Sequence, residues 1–468
     1  MTKTQKNGTL AVVCLATAML MLDIAVVNTA LGHIASDLHS GLSGLQWVVD
    51  AYTVALASVV LTAGSVSDRL GRRRVFAVGM GVFTASSLAC AMAGSIGVLD
   101  AARAVQGIGA AILFAGSLAI LADAFPAAKE RMTALAIYGA TIGAAFAIGP
   151  LAGGALTSGF GWRAVFFVNV PLGILALAAI RAWVRESRDD NARGLDWPGQ
   201  LTLSAGLFLL VFALLRGNED GWSSAHITGS LVAAGGLLAA FVIVQRRVRE
   251  PMLPLGLFRN RSFTAAQAAV FAISASFFAL FLYTTLYLQE ILGLSPIEAG
   301  LVYVPGTVAM FVVSGASAQF GERVPAVRLV GLGLVLVAAG MAFMLTAGTD
   351  SSWIALEPGF LLASIGTGII NPTVSGMALG SVPPHMSGVA AGVHDTFRQA
   401  GIAVGVAAFG AMVPASAALG HGSASSYVDG LHTALIAGTG VALAGAVATV
   451  RLLGGRRGAA PEAVAELA

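Results

Sequence analysis

Apolar runs long enough to cross a bilayer, about 20 residues each, recur along almost the whole of this sequence and leave few folds open to it. Backbone exposed to lipid must satisfy its own hydrogen bonds, so each such run is expected to be a helix. Composition agrees. The 468 residues are 57% hydrophobic and 10% charged, where a soluble domain has about 25% charged residues, and the mean hydropathy is +0.85. The expected class is an all-α polytopic membrane protein. The first run, Thr9 to Leu31, is longer than the apolar core of a secretory signal and contains Asp23, so it reads as a span that is retained.

Fourteen spans are placed near 9–31, 45–66, 75–95, 98–123, 132–157, 164–184, 197–215, 225–244, 264–289, 298–319, 328–346, 354–380, 388–412 and 431–453. Starting inside, this count puts both termini in the cytoplasm. Of the 26 Lys and Arg residues, 22 then fall on the cytoplasmic side, Arg163 and Arg216 outside, and Arg103 and Arg398 within spans. That asymmetry obeys the positive-inside rule. Trp47, Trp162, Trp222 and Trp353 fall at outer ends, and Trp183 and Trp197 at inner ends, as interfacial aromatic rings do. The layout is six helices (1–187), an inserted pair (188–250), six more helices (251–455) and a short cytoplasmic tail (456–468). GIGAA at 107–111 and GTGII at 366–370 hint at a duplicated half in which Arg103 corresponds to Leu362.

Several function classes are disfavoured. The net charge is +3 and the arginines are scattered over many short loops, which does not make a nucleic-acid-binding face. Cys14 and Cys90 both fall inside spans and read as small packing residues, not as a disulfide or metal site. Neither a P-loop nor a GxSxG elbow occurs, so no enzyme activity and no cofactor are expected.

Charged groups inside spans are costly and mark function. Asp23 lies roughly 12 Å below the outer end of span one, and Asp50 and Arg103 each roughly 8 Å below theirs. Three helices thus bring charge to one depth, compatible with a single polar cluster. Its role is either a structural ion pair or a proton site. Asn28 lies about 140° round the helix from Asp23 and is assigned to packing. In span five, Pro150 removes a backbone donor, while Gly149, Gly153 and Gly154 permit a bend and close helix contact. In span thirteen, Asp395 and Arg398 are spaced to pair at i,i+3; with His394 they form either a self-neutralised group or a secondary proton site. The segment GSVSDRLGRRRVF, 64–76, reads as a loop of about eight residues between spans two and three. Gly64 and Gly71 punctuate it, and Asp68, Arg69, Arg72, Arg73 and Arg74 give it its charge.

Taken in order, these segments resemble the major facilitator superfamily, and within it the fourteen-helix drug:proton antiporter branch. The loop at 64–76 is similar to the superfamily signature between helices two and three, with Val66 where Leu is usual. LDIAVVNTAL (22–31), QWVVDAY (46–52), LDAARAVQGIGAA (99–111), AIGPLAGG (147–154), WRAVFFVNVPLG (162–173), LDWPG (195–199) and YLQEILGLSPIEAG (287–300) resemble further motifs of the branch. Departures are Ala145 at the start of the fifth-helix motif, His394-Asp395 where Asn is usual, and a degenerate second loop copy at 316–324.

The resemblance implies two six-helix bundles rocking about a central cavity. It makes Gly64, Asp68, Arg69, Gly71, Arg72 and Arg73 a conformational latch, with Asp68 facing the start of span thirteen at Ser387 and Gly388. Asp23, Asp50, Arg103 and Gln106 become the proton-coupling or substrate group. The implied activity is export of apolar or amphipathic, cationic drugs or antibiotics by a monomer in the cytoplasmic membrane, driven by the proton gradient. Export of a physiological metabolite is the alternative, and a membrane sensor without transport a remote one.

Overall fold

The structure is a computed structural model that describes residues 2–188, 194–320, 324–383, 386–414 and 423–454. The tail expected at 456–468 and residues 321–323 of the degenerate loop copy lie outside the described residues.

Helix α1, Lys3–Leu38, opens on a capping box in which Thr2 and Gln5 bond each other's backbone N–H, satisfying two donors that the first turn leaves free. It stops where His39 turns left-handed at φ 52°. Helix α2, Leu42–Leu70, and helix α3, Arg72–Ala91, are separated by Gly71 alone. The loop expected over 64–76 is therefore mostly helix. Its polar residues extend α2 past the apolar run, and Gly71 makes the whole turn at φ 106°, a conformation open chiefly to glycine.

Helix α4, Ile96–Ala124, starts from a Ser95 cap, and α5, Ala128–Phe160, follows. A short α6, Arg163–Phe167, leads directly into α7, Asn169–Trp183. The inserted pair is α8, Trp197–Asp220, capped by Asp196, and α9, Ala225–Arg247. A 3₁₀ turn at Leu255–Arg259 precedes α10, Arg261–Ile273, and α11, Ala279–Leu286. Two π-helical turns, Ser274–Phe278 and Tyr287–Ile291, flank α11 within one continuous rod. Then come α12, Pro296–Phe320; α13, Ala326–Phe343; α14, Glu357–Gly380; α15, Ser387–Gly410; and α16, Ala424–Leu453.

The all-helical class stands, and no strand occurs among the described residues. The count of fourteen spans is not matched by apolar length alone. Among the described residues, twelve helical segments meet that standard, and α5 makes a thirteenth if its two bent arms are taken as one. Those arms meet at 40° around residue 146. That is the residue whose carbonyl the ring of Pro150, four positions on, must avoid. Helix α15 falls short because His394, Asp395, Arg398 and Gln399 lower its hydropathy.

In the first half, α2 and α3 pack on α4, and α1 packs on α5; in the second, α12 and α13 pack on α14, and α10 on α16. The halves meet along two seams, α2 against α15 and α5 against α12. The glycines of α5 explain its seam: Gly149 and Gly153 face Ala25 and Val26 of α1, and Gly154 faces Pro296 and Ile297 of α12. A side chain at Gly153 would run into the α1 backbone. Helix α8 lies over the other seam, touching both α2 and α15. Thr62 donates to Gln200 at 2.5 Å on one side, and Asn218 donates to the Ala411 carbonyl at 2.7 Å on the other.

Candidate functional site

The polar cluster exists, with different membership from that expected. Asp23, 2% exposed, is surrounded by donors. Arg103 Nη1 donates to its Oδ2 at 2.5 Å, and its Oδ1 accepts from Gln106 Nε2 at 2.8 Å and Asn169 Nδ2 at 3.0 Å. Arg103 is equally committed: Nη1 also reaches Gln106 Oε1 at 2.6 Å, Nε reaches the Val48 carbonyl at 2.9 Å, and the guanidinium lies 4.3 Å from the Tyr52 ring centre. Ser87 of α3 accepts the second Gln106 amide bond at 2.8 Å. Five helices, α1 to α4 and α7, therefore hold one ion pair. A fully hydrogen-bonded buried pair resists change, because removal of either partner strands the other charge.

Asp50 does not join this cluster. Arg103 bonds the Val48 carbonyl, and Asp50 lies two residues further, about 200° round α2, on another face. It is fully buried, and neither carboxylate oxygen has a hydrogen-bond partner among the described residues. The Thr53 hydroxyl bonds the backbone carbonyls of Val49 and Asp50 at 3.2 and 3.3 Å. One turn before Asp50, Gln46 donates to the Tyr283 hydroxyl of the second half at 2.7 Å, and Tyr283 in turn donates to the Val406 carbonyl.

That Gln46 contact belongs to a row that joins the halves at the end away from Asp68. Gln289 donates to the Thr29 carbonyl at 2.9 Å, and the Ile297 N–H to Ser158 at 3.2 Å. At the Asp68 end, a cavity of about 410 Å³ separates the halves. Asp68 and Gly64 line it from the first half, Gly388, Gly392 and Asp395 from the second. Asp68 thus faces the first turns of α15 as expected, although nothing is described of the Ser387 side chain. Asp68 sits in the last turn of α2, where the helix dipole disfavours a carboxylate, and Arg72 bonds it at 2.8 Å. Arg73 and Arg74 lie near Glu186, 3.7 and 3.5 Å away. Glu186 accepts the Arg73 N–H at 3.1 Å, at a helix N-terminus that favours a carboxylate. Asp395 pairs with Arg398 within α15. His394 faces elsewhere, with Gln267 at 3.3 Å and Ser375 at 3.5 Å, so the three residues do not form one relay.

Sequence reasoning passed over Asn169, Ser87, Tyr52, Glu186 and the Gln46–Tyr283 pair. Asn169 stood inside the quoted segment 162–173, and a polar residue in an apolar span was the available signal. Glu186 gave no signal, because a carboxylate near a loop is ordinary.

The sequence profile of the Major Facilitator Superfamily matches residues 13–406. The chain belongs to that superfamily. Membership makes this facilitator a membrane transporter of small molecules and not an enzyme. It is 36% identical over 467 residues to the puromycin resistance protein pur8 of Streptomyces alboniger, covering 97% of this chain and 92% of that one. It is 34% identical over 397 residues to the multidrug resistance protein Stp of Mycobacterium tuberculosis (85% and 74% covered). It is 32% identical over 419 residues to the methylenomycin A resistance protein of Streptomyces coelicolor (89% and 88%). These names are consistent with the drug:proton antiporter branch. The fold is shared with the peptide transporter POT in complex with sulfate, with a TM-score of 0.68 at 16% identity and 95% of each chain covered.

Proposed function

We propose that this facilitator exports apolar or amphipathic, cationic small molecules, drugs or antibiotics among them, in exchange for protons. It works as a monomer of fourteen crossings, with α5 and α15 completing the count. The Asp68 end and both termini face the cytoplasm, as the arginine asymmetry supports. The names of the similar resistance proteins support drugs or antibiotics as the cargo.

The observation that supports proton coupling is Asp50, buried and without a hydrogen-bond partner among the described residues, one turn from the Gln46–Tyr283 contact. An ionised carboxylate there would be both dehydrated and unpaired, a state that proteins avoid by neutralising the group. Closure of the outer end therefore requires a proton on Asp50, and loss of that proton favours the open outer end, where water reaches the group. A cation entering the cytoplasmic cavity is exchanged against the proton, the carrier opens outward, and a proton taken up outside resets it. Asp23 and Arg103 hold the first-half helices in register throughout.

The test uses the full chain in proteoliposomes with an imposed pH gradient and tetraphenylphosphonium as probe. Asp50→Asn cannot ionise, so proton-driven movement of the probe is expected to fall at least about tenfold while probe binding remains. Unchanged, protonophore-sensitive transport by Asp50→Asn overturns the assignment.

A further inference from the structure

A second cavity, of about 360 Å³, lies between the inserted pair, the 3₁₀ linker and α15. Its volume is within the range of small-molecule pockets. Phe241 and Val242 of α9, Leu253 and Phe258 of the linker and Phe397 of α15 form its walls. Thr396 is its one polar side chain among the described residues, and that hydroxyl is already spent on the Ala57 and Gly392 carbonyls.

This cavity adjoins the one between the halves. Leu61 of α2 lines both, and its Cδ2 lies 3.0 Å from where a side chain on Gly392 would begin. Neighbouring residues face opposite ways: Met252 lines the inter-half cavity and Leu253 the apolar one, and Gly392 and Val393 divide likewise. The inter-half cavity carries the carboxylates of Asp68, Glu250 and Asp395, of which Asp68 and Asp395 are paired with Arg72 and Arg398 while Glu250 has no arginine partner among the described residues, and no described Lys or Arg lines it. One leucine therefore separates a greasy compartment from an acidic one.

We propose that the two cavities form one bipartite site. The apolar compartment takes the hydrocarbon chain or ring of an amphipathic cation, and the acidic compartment takes its charged head. The inserted pair then serves as a wall of the substrate site. This deepens the export reading and depends on it only for the choice of ligand class.

The test is equilibrium binding of an alkyltrimethylammonium series, from tetramethyl to dodecyltrimethyl, to the full chain in phosphatidylcholine nanodiscs, with binding to empty nanodiscs subtracted. Affinity is expected to rise about fourfold per methylene until the compartment is full. Val242 of α9 and Ala400 of α15 both line the compartment, and Val242→Trp and Ala400→Leu fill it. Each is expected to flatten the rise to less than about twofold per methylene while leaving tetramethylammonium affinity unchanged, which also shows the variant is folded. An identical rise in wild type and both variants overturns the proposal, since the chain would then lie in bulk lipid. A phospholipid retained by the wild type, lost from both variants and not displaced by the dodecyl compound overturns it in favour of a structural lipid. A variant-sensitive rise in a protein without proton-driven transport upholds the site and removes the export reading. Transport with a variant-insensitive rise does the reverse.

Discussion

Asp23 and Asp50 lie at similar depth and meet opposite surroundings. Asp23 accepts from Arg103, Gln106 and Asn169, so its charge is matched atom by atom. Asp50 is matched by nothing among the described residues. The difference predicts opposite stability effects. Asp23→Asn leaves the Arg103 guanidinium buried and uncompensated, a loss of about 3–5 kcal/mol, visible as a lower melting temperature and a poorer yield of folded protein. Asp50→Leu removes an unsatisfied group and is expected to leave the melting temperature unchanged or raised. Thermal unfolding of the purified variants checks both. Transport by Asp23→Asn is then a poor probe of coupling, because loss of the fold would abolish it as well.

Among the elements, α5 shows how glycine spacing sets a helix position. Gly149 and Gly153 accept α1, and Gly154 accepts α12, so one helix is gripped from both halves. Gly153→Val is expected to separate α1 from α5 at a cost of about 1–3 kcal/mol. Gly139→Val, at a site with open space around it, is expected to be tolerated; comparing the monodisperse yields of the two checks this. Much of this level was legible in the sequence, because apolar length and glycine spacing are local properties. Two features were not. Gly71 as a one-residue turn was hidden, since polar residues extend a helix beyond its apolar run as readily as they form a loop. The paired GIGAA and GTGII segments mark corresponding helices without corresponding contacts: Gly109 meets α3 whereas its counterpart Gly368 meets α12. The repeat is one of helices, not of residues.

Over the whole molecule, the halves join at the Gln46–Tyr283 end and part around the Asp68 cavity. In a background lacking Cys14 and Cys90, Gln46→Cys with Tyr283→Cys is expected to be bridged by a bis-methanethiosulfonate reagent, each thiol forming a disulfide with loss of methanesulfinate, to stop tetraphenylphosphonium transport, and to recover on reduction. Full transport by the cross-linked form would show that this contact need not open. The candidate cluster was half legible for a related reason. Depth follows from counting residues, and it correctly gathered Asp23 and Arg103. Azimuth depends on how each helix is rotated by its neighbours, and that separated Asp50. The seam itself was out of reach, because Gln46 and Tyr283 are 237 residues apart.

The Thr396 hydroxyl bonds the Ala57 carbonyl at 3.3 Å, and Ala57 stands eleven residues from Gln46 and eleven from Asp68 along α2. At 1.5 Å per residue each arm is about 16 Å long. On the proposed exchange cycle, α2 would move with the rest of its half as a balanced lever whose fulcrum is this contact with α15. A tilt of about 20° on such an arm moves either tip by about 6 Å, lifting Gln46 off Tyr283 and driving Asp68 toward α15 by the same distance. Two doors hung on one beam cannot stand open together, so on that cycle the geometry of α2 itself opposes leakage through the carrier.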